Sequence, residues 1–280
     1  MEIVRTAARM KEWSRAARSA GQRIGFVPTM GALHAGHLSL LARAAEECDR
    51  AVLSVFVNPL QFGPREDFAG YPRDLERDAG LAEAGGAAVL FAPEETQVHL
   101  PDHRTWVTVE GMQEVLCGRS RTGHFRGVTT VVAKLLAIVD PAAAYFGEKD
   151  AQQLRILKRM ARDLHLECDI VGCPIVRDED GLALSSRNAY LTPEERRAAP
   201  VLRRALQEGA ALAGQGERAI APIVLRVRAT LAREPLARID YVEAVDDETL
   251  APVERIDRRV LLAAAAWFGR ARLIDNVVVG

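Results

Sequence analysis

The chain contains the segment Gly25-Phe-Val-Pro-Thr-Met-Gly-Ala-Leu-His-Ala-Gly-His37, which joins an apolar run, a glycine turn and a helix start. The apolar residues predict a strand over 24–27, and residues 38–47 have the apolar spacing of a helix. His34 and His37 stand three residues apart where that helix opens, so both imidazoles share one helix face. A strand, a glycine turn and a helix in this order form the usual setting for phosphate binding at the carboxyl edge of a parallel sheet.

The histidine pair has three possible roles. Imidazoles at the first turn of a helix can donate hydrogen bonds to the charge that builds on phosphorus during nucleotidyl transfer. Gly31 and Gly36 would then let a bulky ligand approach the backbone closely. The pair is equally typical of surface histidines at a helix cap. A zinc site needs at least three protein ligands and no third is indicated nearby, so we assign no metal ligand.

Length, composition and charge favour a globular protein. The chain has 280 residues, of which 49% are hydrophobic and 27% charged, and its formal charge is −1. This balance gives no general electrostatic reason to bind nucleic acid. No apolar run approaches the ~20 residues of a membrane span, and the N-terminus lacks a signal-peptide core. We therefore expect a cytoplasmic protein with no nucleic-acid or membrane partner, and reduced, buried cysteines at 48, 117, 168 and 173.

The first 175 residues alternate strand-like apolar runs with amphipathic helical stretches. This alternation predicts an α/β fold with a Rossmann-like, doubly wound parallel sheet covered on both faces. The predicted strands are 24–27, 51–57, 87–91, 106–109, 143–146 and 167–171, and the predicted helices are 38–47, 75–84, 128–139 and 151–164. Beyond residue 175, helices over 193–213 and 220–233 precede strands over 239–245, 260–268 and 273–279. We therefore divide the chain into a nucleotide-binding and substrate-binding domain, 1–175, and a smaller C-terminal α+β domain, 176–280.

Two further segments follow the second predicted strand. In Val57-Asn-Pro-Leu-Gln-Phe-Gly63 the amides of Asn58 and Gln61 suit the hydroxyl and carboxylate groups of a small polar substrate. The same residues are also typical of a plain Asn-Pro turn. The long loop 67–74 comes next and makes Tyr71 and Arg73 candidate lid or substrate contacts.

Three later segments combine glycine with charged groups. The loop 119–127 has three arginines and a histidine, which suits either an anion site or a solvated loop before a helix. In 144–153, Gly147 permits close approach of a nucleotide, Lys149 offers a charge to phosphate, and Asp150 can accept from a ribose or cap a helix. In Leu184-Ser-Ser-Arg-Asn188, two hydroxyls and a guanidinium can close over a polyphosphate or form a surface turn.

Together these segments resemble the pantoate–β-alanine ligase (pantothenate synthetase) family of the HIGH-motif nucleotidyltransferase superfamily. The matching segments come in the family's order and span the chain almost end to end: 27–37, 56–63, 123–132, 145–150 and 181–188. One departure is mild, since Leu184 stands where many members carry methionine, and both side chains are apolar.

The resemblance implies that D-pantoate and β-alanine are joined with ATP and Mg²⁺, through a pantoyl adenylate, into pantothenate, AMP and pyrophosphate by a homodimer. The catalytic residues it implies are His37, His34 and Lys149. The implied ATP-binding residues are Met30, Gly31, Ala32, Leu33, His34, Ala35, Gly36, His37, Gly147, Glu148, Lys149, Asp150, Val176, Leu184, Ser185, Ser186 and Arg187. The resemblance implies that Gln61 and Gln153 bind the substrate, and we add Asn58 because of its amide group.

The sequence leaves three alternatives to this function. The nearest is another small-molecule nucleotidylyltransferase of the same superfamily, but Gln61 and Gln153 suit a small hydroxy acid better. An aminoacyl-tRNA synthetase is disfavoured because no anticodon-binding appendage or basic surface is evident. A nucleotide sensor without catalytic activity is disfavoured because all the expected polar groups are present.

Overall fold

The structure is a computed structural model that describes residues 1–64, 66 and 68–280. Asp67, the first residue of the predicted long loop, lies outside the described residues. The helices are α1 Ala7–Ser19, α2 Ala35–Glu47, α3 Leu75–Ala84, α4 Glu95–Val98, α5 Cys117–Ser120, α6 His124–Val139, α7 Ala151–Asp163, α8 Pro193–Ala198, α9 Val201–Gly214 and α10 Ile220–Leu231. The strands are β1 Glu2–Val4, β2 Ile24–Thr29, β3 Arg50–Val55, β4 Val89–Phe91, β5 Ala143–Gly147, β6 Asp169–Cys173, β7 Arg238–Asp246, β8 Val260–Phe268 and β9 Ala271–Val279. Short 3₁₀ turns lie at Pro59–Gln61, Glu148–Asp150 and Ser186–Tyr190.

Within the described residues, six strands form one parallel sheet in the order β1-β4-β3-β2-β5-β6. Strand β2 pairs with β3 on one side and with β5 on the other, so the strand order reverses between β2 and β5. Ligands of open α/β sheets bind at the carboxyl ends of the strands that flank such a reversal. The predicted Rossmann-like, doubly wound sheet is confirmed, and its switch point brings the ends of β2 and β5 together.

Within the described residues, the C-terminal sheet has the antiparallel order β7-β8-β9. Alternate side chains of β8 serve two hydrophobic cores, as the period of a strand requires. Leu261, Ala263 and Ala265 join the core that also holds α6 and α7, whereas Leu262 and Ala264 join the core under α9 and α10. The predicted smaller α+β part is confirmed. The last parallel strand ends at Cys173, and a domain boundary at 175/176 stays a prediction.

One predicted strand is wrong. Residues 106–109 form no strand and pair with no strand of the described chain. Their backbone hydrogen bonds go to side chains of α6 instead, since Val107 N–H donates to Thr130 Oγ1 and Thr129 Oγ1 donates to the Val107 carbonyl. The β-branched residues of this segment therefore pack against a helix, and β-propensity alone did not distinguish the two environments.

The helix predicted over 193–213 is two helices, α8 and α9, which meet at Ala199 and Pro200. Proline lacks an N–H and its ring crowds the preceding turn, so the helix ends before it and begins again after it. Helix α6 starts at His124 rather than at residue 128, which supports the interpretation of loop 119–127 as a helix start. Strand β1 and helix α1 were not predicted.

No helix in the described part of the chain is long and apolar enough to cross a membrane. All four cysteines are unpaired, and three of them are buried as predicted, whereas Cys168 is half-buried.

Candidate functional site

Helix α2 opens on the histidine pair, as predicted. His34 is the N-cap residue, and its Nδ1 accepts from the Gly36 N–H at 3.1 Å, while His37 Nδ1 accepts from the His34 N–H at 3.4 Å. A Cβ at position 36 would lie 2.9 Å from His34 Cε1, so this cap requires glycine there. Since Nδ1 of each ring is an acceptor, each ring carries its hydrogen on Nε2.

The two imidazoles are neutral hydrogen-bond donors near neutral pH. Burial lowers the pKa of His34 to about 4 and that of His37 to about 3, and the charge of Lys149 acts in the same direction on both. Their ring centroids are 4.1 Å apart. Both rings line one cavity, so the pair can offer Nε2–H groups to a phosphate without carrying positive charge.

Asp78 on α3 holds the glycine turn that precedes this helix. Its carboxylate oxygens accept from the N–H groups of Ala32, at 2.9 Å, and Leu33, at 2.8 Å, and its side chain is 1% exposed. The sequence analysis missed this residue. A usable signal was present, because Asp78 lies on the helix face that also carries Leu75 and buried Ala82, where an acid needs a partner.

The cavity at the switch point has a volume of about 230 Å³. It is lined by predicted site residues from four separate segments of the chain. They are Met30, His34, Gly36, His37, Asn58, Gln61, Gly147, Lys149, Asp150, Gln153, Val176, Leu184, Ser185, Ser186 and Arg187. A larger cavity of about 590 Å³ adjoins it beneath the C-terminal sheet and shares Lys149, Asp150 and Arg187 with it.

The remaining predicted residues have other surroundings. Leu33 is buried in the core between α2 and the sheet. The N–H of Ala32 is held by Asp78, and a Cβ at Gly31 would lie 2.8 Å from the same carboxylate. Ala35 and Glu148 are exposed. These five residues do not line the cavity, although residues next to them in the chain do.

The segment after β5 supplies a cation and a carboxylate. Lys149 Nζ lies 3.4 Å from Asp150 Oδ2, and the Asp150 side chain is 49% exposed. Partial burial opposes ionisation of Asp150, but Lys149 and then Arg187 outweigh it and lower the pKa of this carboxyl group. Asp150 makes no side-chain cap on α7, so the capping alternative is not the one adopted.

The 176–187 segment forms a hairpin that reaches the same cavity. The Leu184 N–H donates to the Val176 carbonyl at 3.0 Å, so these two predicted residues are paired across its arms. Ser185 then caps a 3₁₀ turn by accepting from the Arg187 N–H at 3.3 Å. The Tyr71 hydroxyl lies 3.4 Å from Ser186 Oγ, which joins the loop after residue 67 to this hairpin.

The backbone of Gln61 is held in place by a hydrogen bond to His124. The Gln61 carbonyl accepts from His124 Nδ1 at 2.8 Å, and His124 Nε2 accepts from Arg121. Arg121 also donates two hydrogen bonds of 2.7 Å to Glu66. Burial alone would raise the pKa of Glu66, but these bonds from Arg121 lower it to about 2.

The arginines of loop 119–127 are therefore engaged with protein groups. Arg121 pairs with Glu66, Arg119 pairs with Glu243, and Arg126 lies over the Trp106 ring at 4.1 Å. The structure supports a structural role for this loop over the alternative of an anion site. Sequence reasoning missed Glu66 and the supporting role of His124, because both depend on contacts with distant residues.

Among the described residues, no group of three or more His, Cys, Asp or Glu side chains could hold a metal ion. Mg²⁺, however, commonly needs only one or two carboxylates together with substrate phosphates. Asp150 fits that requirement, because it is ionised and lines the cavity beside Lys149.

Comparisons with known proteins show the family of this chain. The sequence model of the pantoate-beta-alanine ligase family matches residues 2–278. The chain is 54% identical over 279 residues to the pantothenate synthetase of Heliobacterium modesticaldum, covering 100% of this chain and 99% of the relative. It is 53% identical over 280 residues to that of Thermotoga neapolitana, covering 100% of both.

Solved structures of two such enzymes share the fold of this chain. The pantothenate synthetase of Thermus thermophilus superposes with a TM-score of 0.92 at 48% identity, covering 99% of each chain. The pantoate-beta-alanine ligase of Francisella tularensis, solved with beta-gamma ATP and beta-alanine, has a TM-score of 0.81 at 32% identity, covering 99% of this chain and 97% of that one.

Proposed function

Because the chain belongs to the pantoate–β-alanine ligase family, and is therefore a ligase, we propose that it condenses D-pantoate with β-alanine, using ATP. The products are pantothenate, AMP and pyrophosphate, and the intermediate is a pantoyl adenylate. One observation carries the proposal: a single cavity presents the donors of His34 and His37, the cation of Lys149 and the amides of Gln61 and Gln153. This set suits a polyphosphate on one side and a small hydroxy acid on the other.

The first step is adenylation of the acid. A pantoate carboxylate oxygen attacks the α-phosphorus of ATP, an O–P bond forms, and the bond to the β-phosphate oxygen breaks to release pyrophosphate. Such in-line transfer depends on positioning and on stabilising the charge that builds on the phosphoryl oxygens. The Nε2–H groups of His34 and His37 and the ammonium of Lys149 are the groups we assign to that charge, and Leu184 to Arg187 to the triphosphate. We assign the adenine region to Val176.

The second step forms the amide. The β-alanine amine attacks the acyl carbon of the adenylate, a C–N bond forms, and the C–O bond to AMP breaks as the amine loses a proton. A free carboxylate would have to expel oxide, and the adenylate provides AMP as the leaving group instead. The intermediate must be kept from water. The hairpin at 176–187 and Tyr71, which border the cavity, are the parts placed to cover it.

Mg²⁺ belongs to the same proposal. Asp150 is the residue that would hold it, together with phosphate oxygens of the nucleotide, and the ion would offset the charge of the triphosphate. A homodimeric state and a cytoplasmic location stay predictions. Sedimentation of the purified protein tests the first of these.

The proposal is tested with the purified protein, ATP, Mg²⁺, D-pantoate and β-alanine. We expect release of AMP and pyrophosphate that requires both organic substrates, and pantoate-dependent ATP–pyrophosphate exchange in the absence of β-alanine. Exchange without any amide product on adding β-alanine would instead indicate another nucleotidylyltransferase of the superfamily. Absence of both reactions would overturn the proposal.

A further inference from the structure

A chain of side-chain hydrogen bonds runs from α6 to the cavity wall. Lys134 Nζ lies 3.0 Å from His99 Nδ1, and His99 Nε2 lies 2.9 Å from Asn58 Oδ1. Asn58 Nδ2 donates to Gln61 Oε1 at 3.0 Å, and Gln61 Nε2 lies 3.1 Å from Met30 Sδ. The sequence analysis singled out three members of this chain, which are Asn58, Gln61 and Met30. It did not single out Lys134 or His99.

Each bond in this chain has a defined direction. An ammonium group can only donate, so Lys134 makes His99 Nδ1 an acceptor. The ring hydrogen of neutral His99 is then on Nε2 and donates to Asn58 Oδ1. Burial and, to a lesser extent, the charge of Lys134 lower the pKa of His99 to about 4, so the ring is neutral at pH 7. Lys134 itself is anchored by a second bond of 3.1 Å to the Val98 carbonyl.

Asn58 is oriented by its backbone neighbours as well. Its Oδ1 accepts from the Leu60 N–H at 3.3 Å, and its Nδ2 donates to the Gly127 carbonyl at 3.2 Å. A reversed amide would place N–H groups against N–H groups at Leu60 and His99. The side chain is 1% exposed, so water could not relieve those contacts. Both of its polar atoms are thus engaged with protein groups.

These contacts determine the orientation of the Gln61 side-chain amide. Its Oε1 is occupied by Asn58, so its Nε2 faces the other way, towards Met30 and the cavity. A thioether is a weak acceptor that a carboxylate or hydroxyl oxygen of a ligand can replace. Gln61 therefore presents a donor to its ligand, and the choice of donor over acceptor depends, through Asn58, on Lys134 and His99, which do not line the cavity.

We propose that Lys134 and His99 are positioning residues that act through Asn58 to aim the Gln61 amide donor at the oxygen atoms of the acid substrate. The assignment of that substrate as pantoate rests on the proposed function. The direction of the chain does not, because it follows from the contacts alone. The two parts can therefore be tested separately.

The direction of the chain is tested by NMR of ¹⁵N-histidine-labelled protein. We expect His99 in the Nε2–H tautomer near pH 7, and a mixture of tautomers in Lys134→Met. His99 with its hydrogen on Nδ1 in the unmodified protein would overturn the proposal, whatever reaction the protein catalyses.

The effect on substrate is tested by steady-state kinetics. His99→Leu removes the donor, and we expect the KM for D-pantoate to rise about tenfold or more, with the KM for ATP changed less than about twofold. His99→Gln keeps an N–H at the Nε2 position and should restore most of the affinity. His165→Asn is the matched control, because His165 is an exposed histidine after α7, outside this hydrogen-bond chain, and its replacement should leave both KM values unchanged.

The outcomes separate the two proposals. An unmodified protein that does not turn over pantoate contradicts the proposed function, while the tautomer measurement still decides the hydrogen-bond chain. Equal KM values for pantoate in His99→Leu, His99→Gln and the unmodified protein would overturn the positioning role. A parallel rise in both KM values would do the same, because it would indicate general loosening of the site.

Discussion

Asn276, on the last strand of the C-terminal sheet, donates its side-chain amide to the main-chain carbonyl of Lys149 at 3.2 Å. The same amide donates to the Glu148 carbonyl at 2.9 Å, and its side chain is largely buried. Its neighbour Asp275 makes two bonds, of 2.7 and 2.8 Å, to Arg177 at the base of the hairpin. Two adjacent residues of β9 therefore hold both segments that we assign to the ATP phosphates.

Replacing Asn276 with alanine tests this attachment. We expect Asn276→Ala to raise the KM for ATP about tenfold, because the Lys149 segment loses two hydrogen bonds that fix its backbone. The KM for pantoate should change less than about twofold, since the Gln61 wall is supported from α6. Initial rates with each substrate varied in turn provide the measurement, and a thermal melt controls for folding. Equal changes in both KM values would contradict the assignment.

The second prediction concerns the histidine pair. His37→Ala should lower the rate of adenylation by roughly 10²–10³, the effect of losing one donor to the transition state. His37→Gln keeps an N–H near the Nε2 position and should lose less. Pantoate-dependent ATP–pyrophosphate exchange measures the step directly. A near-normal exchange rate in His37→Ala would refute the role assigned to this residue.

The local features of the fold could be predicted from the sequence because their causes are local. The run from β2 through Gly31 into α2 contains a strand, a turn and a cap within one short segment, and the structure has all three. The break between α8 and α9 could also have been predicted from the sequence, since Pro200 lies inside the predicted helix. It was missed because apolar spacing continued across it.

The supporting contacts of the site could not be predicted, because they join elements that are far apart in the chain. Asp78 is 45 residues from Leu33, and Asn276 is 127 residues from Lys149. Periodicity shows that a residue is buried or lies on a helix face, but not which distant element covers it. The family resemblance indicated many of the residues that line the cavity, but it gave no information on Asp78, His99 or Asn276.

The third prediction concerns Asp78. Asp78→Ala should lower the free energy of unfolding by about 2–4 kcal/mol, because the N–H groups of Ala32 and Leu33 lose a buried, charged acceptor. Asp74→Ala is the matched control, since Asp74 caps the same helix α3 from an exposed position and its loss should cost about 1 kcal/mol. Urea denaturation measures both. Equal losses in the two variants would contradict the role given to Asp78.

The fourth prediction is a dependence of stability on pH. Burial is the main cause of lowered pKa values in four histidines, to about 4 in His34 and His99 and to about 3 in His37 and His124. In the unfolded chain these groups titrate near pH 6.5. As the pH falls below about 6.5, the unfolded chain therefore binds protons that the folded protein does not. Stability should decline from about pH 6.5 towards pH 4, by at most about 1.4 kcal/mol per pH unit for each histidine.

Urea denaturation between about pH 7.5 and pH 5 measures this slope, in a window where carboxylates such as Glu66 are ionised in both the folded and the unfolded chain. His99→Gln removes one of the four groups and keeps the donor to Asn58, so its stability should decline less steeply with acid than that of the unmodified protein. His165→Asn changes an exposed histidine outside the hydrogen-bond chain and serves as the control. An identical slope in His99→Gln and the unmodified protein would show that His99 takes up its proton equally in the folded and unfolded states, which its burial beside Lys134 opposes.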